Sequence, residues 1–194
     1  MKAKYEMLFT GAGGQGVILC SIILAEAAFL TGKNVAQSQS YGPEARGGLC
    51  RAELVIDEEK IVYPKVTRAD FLLALTQASL DKYGPGMPGD AMIVMDSSLH
   101  APENLGSGNV TVLPILHTAS KVVGNVLTAN IVSAGAIDAL LGIAPGALLE
   151  QAMRMHIPWG TEAVNLLALG EGRKLGTAAR QTPILPFGRV NNQQ

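Results

Sequence analysis

The chain has 194 residues, 48% of them hydrophobic and 16% charged, with 22 Gly, 10 Pro and a net charge of −1. That length fits one α/β domain able to bury roughly 70% of its unfolded surface, and so apolar a composition excludes a mainly disordered chain. Near-balanced charge also excludes a sequence-independent hold on nucleic acid or on an anionic membrane surface. In chain order, residues 5–10 (YEMLFT) read as a strand, followed by Gly11-Ala12-Gly13-Gly14-Gln15-Gly16 and a helix over about 15–31. Ile18, Ile22, Ala25 and Phe29 share one face of that helix. Residues 37–48 (QSQSYGPEARGG) are polar and rich in Gly, Pro and Ser, which argues for irregular chain. Segments 49–56 and 60–64, on either side of Asp57-Glu58-Glu59, read as a β-hairpin inserted into an otherwise parallel sheet.

Further strands are expected at 71–76, 91–96 and 110–114, with a helix at 77–83 and a Gly/Pro turn at 84–89. A helical region begins near 118, and helices follow at 126–142, 145–154 and 161–171. Ala129, Ser133 and Ala136 form a stripe of small residues that permits close packing of another backbone. Residues 177–194 contain two prolines and a polar end, and read as an extended tail outside a single domain of residues 1–176. The alternation of strand and helix gives an α/β fold: a Rossmann-like, mostly parallel sheet with a β-hairpin insertion and helices on both faces.

Two stretches raise the question of a membrane span. Residues 17–30 are too short and carry Glu26, while 126–149 are interrupted by Asn130, Ser133, Asp138, Pro145 and three Gly. Neither supplies the about 20 unbroken apolar residues that a span requires. Cys20 and Cys50 are too few for a four-thiolate centre or a disulfide framework, so a reduced, cytoplasmic protein is expected. Sparse surface charge for this length suggests a surface partly hidden in a larger assembly.

The glycine segment satisfies G-x-G-x-x-G between a strand and a helix, the context in which free N–H groups at the helix start meet an anion. Dinucleotide binding would also need an acid about 20 residues on, and positions 33–40 hold none. Phosphate binding, or a turn that merely packs strand on helix, both remain open. The second unusual stretch, Ser40-Tyr41-Gly42-Pro43-Glu44-Ala45-Arg46-Gly47-Gly48, sets an aromatic and two opposite charges among residues that fix or free the backbone. Glu44 and Arg46 either face a ligand or pair with each other. Asp96 at a strand end is better read as a cap over Ser97-Ser98, and Thr76-Gln77 has the same two readings. His100, His117 and His156 show no metal-ligand spacing, and Trp159 is a candidate interface anchor.

Together, GAGGQGV and SYGPEARGG, with FLLALTQASLDKYG at 71–84 and NLLALGEG at 165–172, resemble the gamma subunit of 2-oxoacid:ferredoxin oxidoreductases, the group acting on pyruvate, 2-oxoglutarate or ketoisovalerate. The likeness covers about residues 3–172; Ala45, where relatives often carry Met, and 153–160, without the expected lysines, depart from it. The resemblance implies a non-catalytic accessory subunit beside the active centre of a CoA-dependent oxidative decarboxylase, with 2-oxoglutarate the favoured substrate. It implies thiamine diphosphate, Mg and [4Fe-4S] clusters on alpha, beta and possibly delta partner subunits, electron transfer to ferredoxin, coenzyme A at the interface, and a self-dimer when isolated. The residues expected to face the ligand or active centre are Gly11, Gly13, Gly14, Gln15, Gly16, Ser40, Tyr41, Gly42, Glu44, Arg46 and Gly47. The alternative is a free-standing nucleotide- or CoA-binding protein, and a third reading is a dimerisation module whose turn binds nothing.

Overall fold

A computed structural model describes residues 4–41, 48–107 and 109–181. Six strands form one sheet in the order β2-β3-β1-β4-β5-β6. They are β1 (Lys4–Ala12), β2 (Asn34–Tyr41), β3 (Leu49–Asp57), β4 (Phe71–Ala74), β5 (Met92–Asp96) and β6 (Val110–Leu113). β3 pairs antiparallel with both β2 and β1, whereas β1, β4, β5 and β6 pair parallel. Five strands therefore point one way and β3 alone runs against them.

The pleat sorts side chains into two cores. Met7, Phe9, Leu54, Ile56, Phe71, Leu73 and Val94 face a layer of four helices: α1 (Val17–Leu30), α4 (Ala129–Leu141), α5 (Gly146–His156) and α6 (Glu162–Gln181). Within this core the rings of Phe9 and Phe71 tilt against each other at 6.1 Å. Leu8, Leu72, Ala74, Ile93 and Met95 face the other way, onto α2 (Gln77–Tyr83) and the loops around Met87 and Leu105. Helices thus lie on both faces, as the alternation of elements predicts. The expected 77–83 helix is α2 itself, opened by Thr76, whose side chain and that of Ser79 cap each other's backbone. After β6 come the short helix α3 (Ile115–His117) and one wide turn over Thr118–Val122, so helical chain starts earlier than expected.

Three expectations are corrected. Residues 37–41, read as irregular, belong to β2: pairing along β3 satisfies their backbone, which outweighs the poor strand preference of Gln and Ser. Residues 60–64 form no strand, so the hairpin expected at 49–64 does not exist; β3 pairs instead with β2 and β1. In its place a strap over 58–70 crosses the sheet, held by two carboxylates. Glu53 accepts the Val66 N–H at 3.0 Å, and Glu6 accepts the N–H groups of Thr67 and Arg68 with the Thr67 hydroxyl. Of the face formed by Ile18, Ile22, Ala25 and Phe29 in α1, Ala25 is buried in the core, Ile18 and Ile22 are half-buried and Phe29 is exposed. Finally, α6 continues to Gln181, so 177–181 are helix and not extended tail; residues 182–194 lie outside the described residues.

That extension follows from how α6 meets α4. A Cβ on Gly172 would stand 2.1 Å from the Val132 carbonyl oxygen, one on Gly176 2.3 Å from that of Ala136, and one on Gly135 2.3 Å from that of Leu169. The helices run parallel with their backbones touching, a separation only glycine allows. The small-residue stripe was read in the right helix, but Val132, Gly135 and Ala136 form the contact line, and Ser133 turns its hydroxyl back to the Ala129 carbonyl.

Candidate functional site

All parallel strands end on one edge of the sheet, where an open α/β sheet binds ligands beyond its strand carboxyl ends. β1 delivers Gly11 and Ala12 there, and the chain reverses through Gly13–Gly16 into α1. Gly14 and Gly16 adopt φ of 94° and 71°, left-handed values that a side chain resists. Gly13 and Gly14 are exposed. Gln15 folds back under the turn: its Oε1 accepts the Ala12 N–H at 2.8 Å and its Nε2 donates to the Leu75 carbonyl at 3.3 Å, tying β1 to the end of β4. Gly11 is needed because a Cβ would stand 2.6 Å from that Oε1.

α1 starts on Gly16 with no side-chain cap, so the N–H groups of Val17, Ile18 and Leu19 have no partner within the helix. The side chain of Asn130, from α4, packs flat on Gly16, where a Cβ would come within 2.6 Å of Nδ2. Asn130 is buried, and its Oδ1 accepts the Ile131 N–H at 2.9 Å, which fixes Nδ2 as the free end. Among the described residues nothing accepts from Nδ2. Sequence reasoning missed Asn130 because 114 residues separate it from Gly16; the only local signal was a polar residue inside an apolar helix.

The described ends of the second unusual stretch, Ser40-Tyr41 and Gly48, meet the glycine turn at this edge. β2 and β3 are joined by the Ser40–Gly48 segment, Ala12 pairs with Leu49, and the Gly13 N–H donates to the Gly48 carbonyl at 3.2 Å. Ser40, exposed, stands opposite Arg51, and Tyr41 opposite Cys50. Gly42, Glu44, Arg46 and Gly47 lie outside the described residues. Arg51 reaches toward the same side: its guanidinium sits 5.5 Å from the Tyr83 ring centre and pairs with Glu53, and Nε is buried without a hydrogen-bond partner.

Other candidates resolve into structural roles. Buried Asp96 accepts the Ser98 N–H and hydroxyl on Oδ1 and the Leu116 N–H on Oδ2, clamping β5 to α3. Gln77 bridges to Asp81 and to both backbone groups of His100. Burial pushes the thiols of Cys20 and Cys50 up, so neither is an activated nucleophile. His156 stands 3.9 Å from Glu26, and Trp159 is almost wholly exposed. Among the described residues no group of three or more His, Cys, Asp or Glu could hold a metal ion, and no helix is long and apolar enough to cross a membrane.

The pyruvate ferredoxin/flavodoxin oxidoreductase family model matches residues 6–175. The 2-oxoglutarate synthase subunit KorC of Methanocaldococcus jannaschii is 38% identical over 175 residues, covering 89% of this chain and 94% of that protein. The KorC subunit of Archaeoglobus fulgidus is 41% identical over 146 residues, 75% of each chain. Among solved structures, the gamma subunit of a keto/oxoacid ferredoxin oxidoreductase from Geobacter sulfurreducens superposes with a TM-score of 0.81 at 38% identity, covering 92% of this chain and 99% of that one.

Proposed function

The chain belongs to the pyruvate ferredoxin/flavodoxin oxidoreductase family, and we propose that it is the gamma subunit of a 2-oxoglutarate:ferredoxin oxidoreductase. The observation that carries the substrate is similarity to KorC subunits of 2-oxoglutarate synthases at 37–41% identity over 75–89% of this chain. On this reading thiamine diphosphate, Mg and [4Fe-4S] clusters reside on alpha, beta or delta partners, in a cytoplasmic assembly that passes electrons to ferredoxin.

This chain's share of the work is binding. The exposed Gly14 backbone, the uncapped start of α1 and the unpartnered Nδ2 of Asn130 offer donors with no charge of their own, which suits a phosphate group. Coenzyme A is the anionic ligand the reaction requires; when bound it supplies the thiol that accepts the acyl group. Gly14 and Gly16 let the backbone approach the phosphate and Asn130 orients it; Arg46, two positions before Gly48 in the sequence, supplies a cation for the negative charge.

The test is the complex itself, purified anaerobically from its own cells. Expected are co-purifying thiamine-diphosphate and iron–sulfur subunits, with ferredoxin reduction that depends on CoA and is faster with 2-oxoglutarate than with pyruvate. Arg46→Ala should raise the KM for CoA while folding stays intact. A chain that purifies alone, or a complex that prefers pyruvate, overturns the assignment.

A further inference from the structure

Gly172 of α6 lies on the Val132 carbonyl of α4, and Gly176 on that of Ala136. Both helices advance about 1.5 Å per residue, so Gln181, the last residue of α6, comes level with Leu141, the last of α4. Thr182-Pro183 follows, and proline lacks the N–H that another helical turn needs. Arg173, about two turns before the end of α6, already holds the start of α5: its guanidinium donates to the Gly146 carbonyl at 2.6 Å and to Glu150 at 3.0 Å. The chain therefore leaves α6 close to the turn that joins α4 to α5.

That turn forms one wall of an open groove of about 600 Å³. Ile143, Ala144, Pro145 and Leu148 line it on this side, and Thr31 and Lys33, just past α1, on the other. Ile143 is the buried floor, with Ala144 and Leu148 half-buried above it. Thr31 and Lys33 stand at the opposite end of α1 from the glycine turn, so the groove is separate from the candidate ligand site.

We propose that the groove is the docking site of the chain's own C-terminal segment, Pro183-Ile184-Leu185-Pro186-Phe187. The segment sets three large apolar side chains within five positions, ahead of Gly188 and a polar end. Residues 182–194 contain no Asp or Glu, so its hold on the groove is apolar and insensitive to salt. Length agrees: at up to about 3.5 Å per residue, Ile184 reaches about 10 Å and Phe187 about 20 Å from Gln181. The far wall, at the end of α1, is one helix spacing of about 8–10 Å beyond the end of α4. Two prolines stiffen the segment and lower the entropy that docking costs. Tethered this close to the groove, it acts at a roughly millimolar effective concentration that a separate partner peptide would have to outcompete. The docking is independent of the oxidoreductase reading, so its failure leaves the subunit assignment untouched.

The test uses the full-length chain and chymotrypsin, which cuts after Phe187 once that side chain is free. Leu148→Glu sets a charge in the groove within the first turn of α5, where a carboxylate suits the helix start. It should speed the Phe187 cut at least tenfold while far-UV circular dichroism stays that of the parent, and the parent's own rate should be the same at low and high salt. Independently, with Ala144→Cys and Leu185→Cys combined, a short bifunctional thiol reagent should join the two positions within one chain, both in the isolated protein and in the intact complex. Equal cleavage of the parent and Leu148→Glu, a missing link, or a link from position 144 to a second copy or to a different subunit overturns the proposal.

Discussion

Glycine does opposite work in two parts of this molecule. Where α4 crosses α6, Gly135, Gly172 and Gly176 have carbonyl oxygens pressed onto their Cα atoms, and the missing side chain is space already filled. At the turn after β1, a Cβ on Gly14 would meet nothing within 4 Å; what glycine supplies there is a left-handed backbone and an open approach. The first use closes a core and the second leaves a surface free to bind. A glycine count cannot separate them, yet their consequences on substitution differ in kind.

The largest effect is expected at the closed contact. Gly172→Val places side-chain atoms on the Val132 carbonyl and should cost ~3 kcal/mol or more, read as a fall in chemical-denaturation midpoint. If stability hardly changes, the helices can part and the backbone contact is not what fixes them.

A comparable loss is expected where the strap is held. Burial pushes the Glu6 carboxyl up, but hydrogen bonds from Lys4 and from the Arg68 and Thr67 backbone outweigh it and hold it at about 2, from an ordinary 4.5. An acid depressed on folding stabilises the fold above its unfolded value, and that stabilisation is lost as pH falls through 4.5 toward 2. The shift corresponds to about 3 kcal/mol. Glu6→Gln should therefore unfold more readily at neutral pH and show a shallower further loss between pH 4.5 and 2. Parallel pH profiles for the two proteins would remove Glu6 from this role.

The smallest effect on stability belongs to the open turn. Gly14→Ala strains only φ and should cost about 1 kcal/mol, while raising the KM for CoA in the assembled enzyme. Loss of stability as large as that of Gly172→Val would erase the distinction between the two regions.

The strand–helix alternation and α2 were legible because period and capping residues speak locally: Thr76 and Ser79 announce a helix start within four positions. The glycine turn was legible for the same reason. What escaped depended on partners distant in sequence. β2 is polar and looks like a loop until β3 lies beside it. The strap at 58–70 has the alternation of a strand, but Glu6 and Glu53 claim its N–H groups. In α1 a hydrophobic helix offers several apolar faces, and periodicity cannot say which one the sheet takes. Asn130, the missed member of the site, comes from α4.

The parallel seating of α6 on α4 also has a kinetic consequence. Every described strand of the sheet precedes residue 114, and the helix that covers the Val132 and Ala136 carbonyls is made only after residue 161. On a ribosome adding about 5–20 residues per second, the sheet can pair for seconds before its helical layer closes. During that interval α4 shows a bare apolar face, which makes the nascent chain a substrate for chaperones until α6 is released.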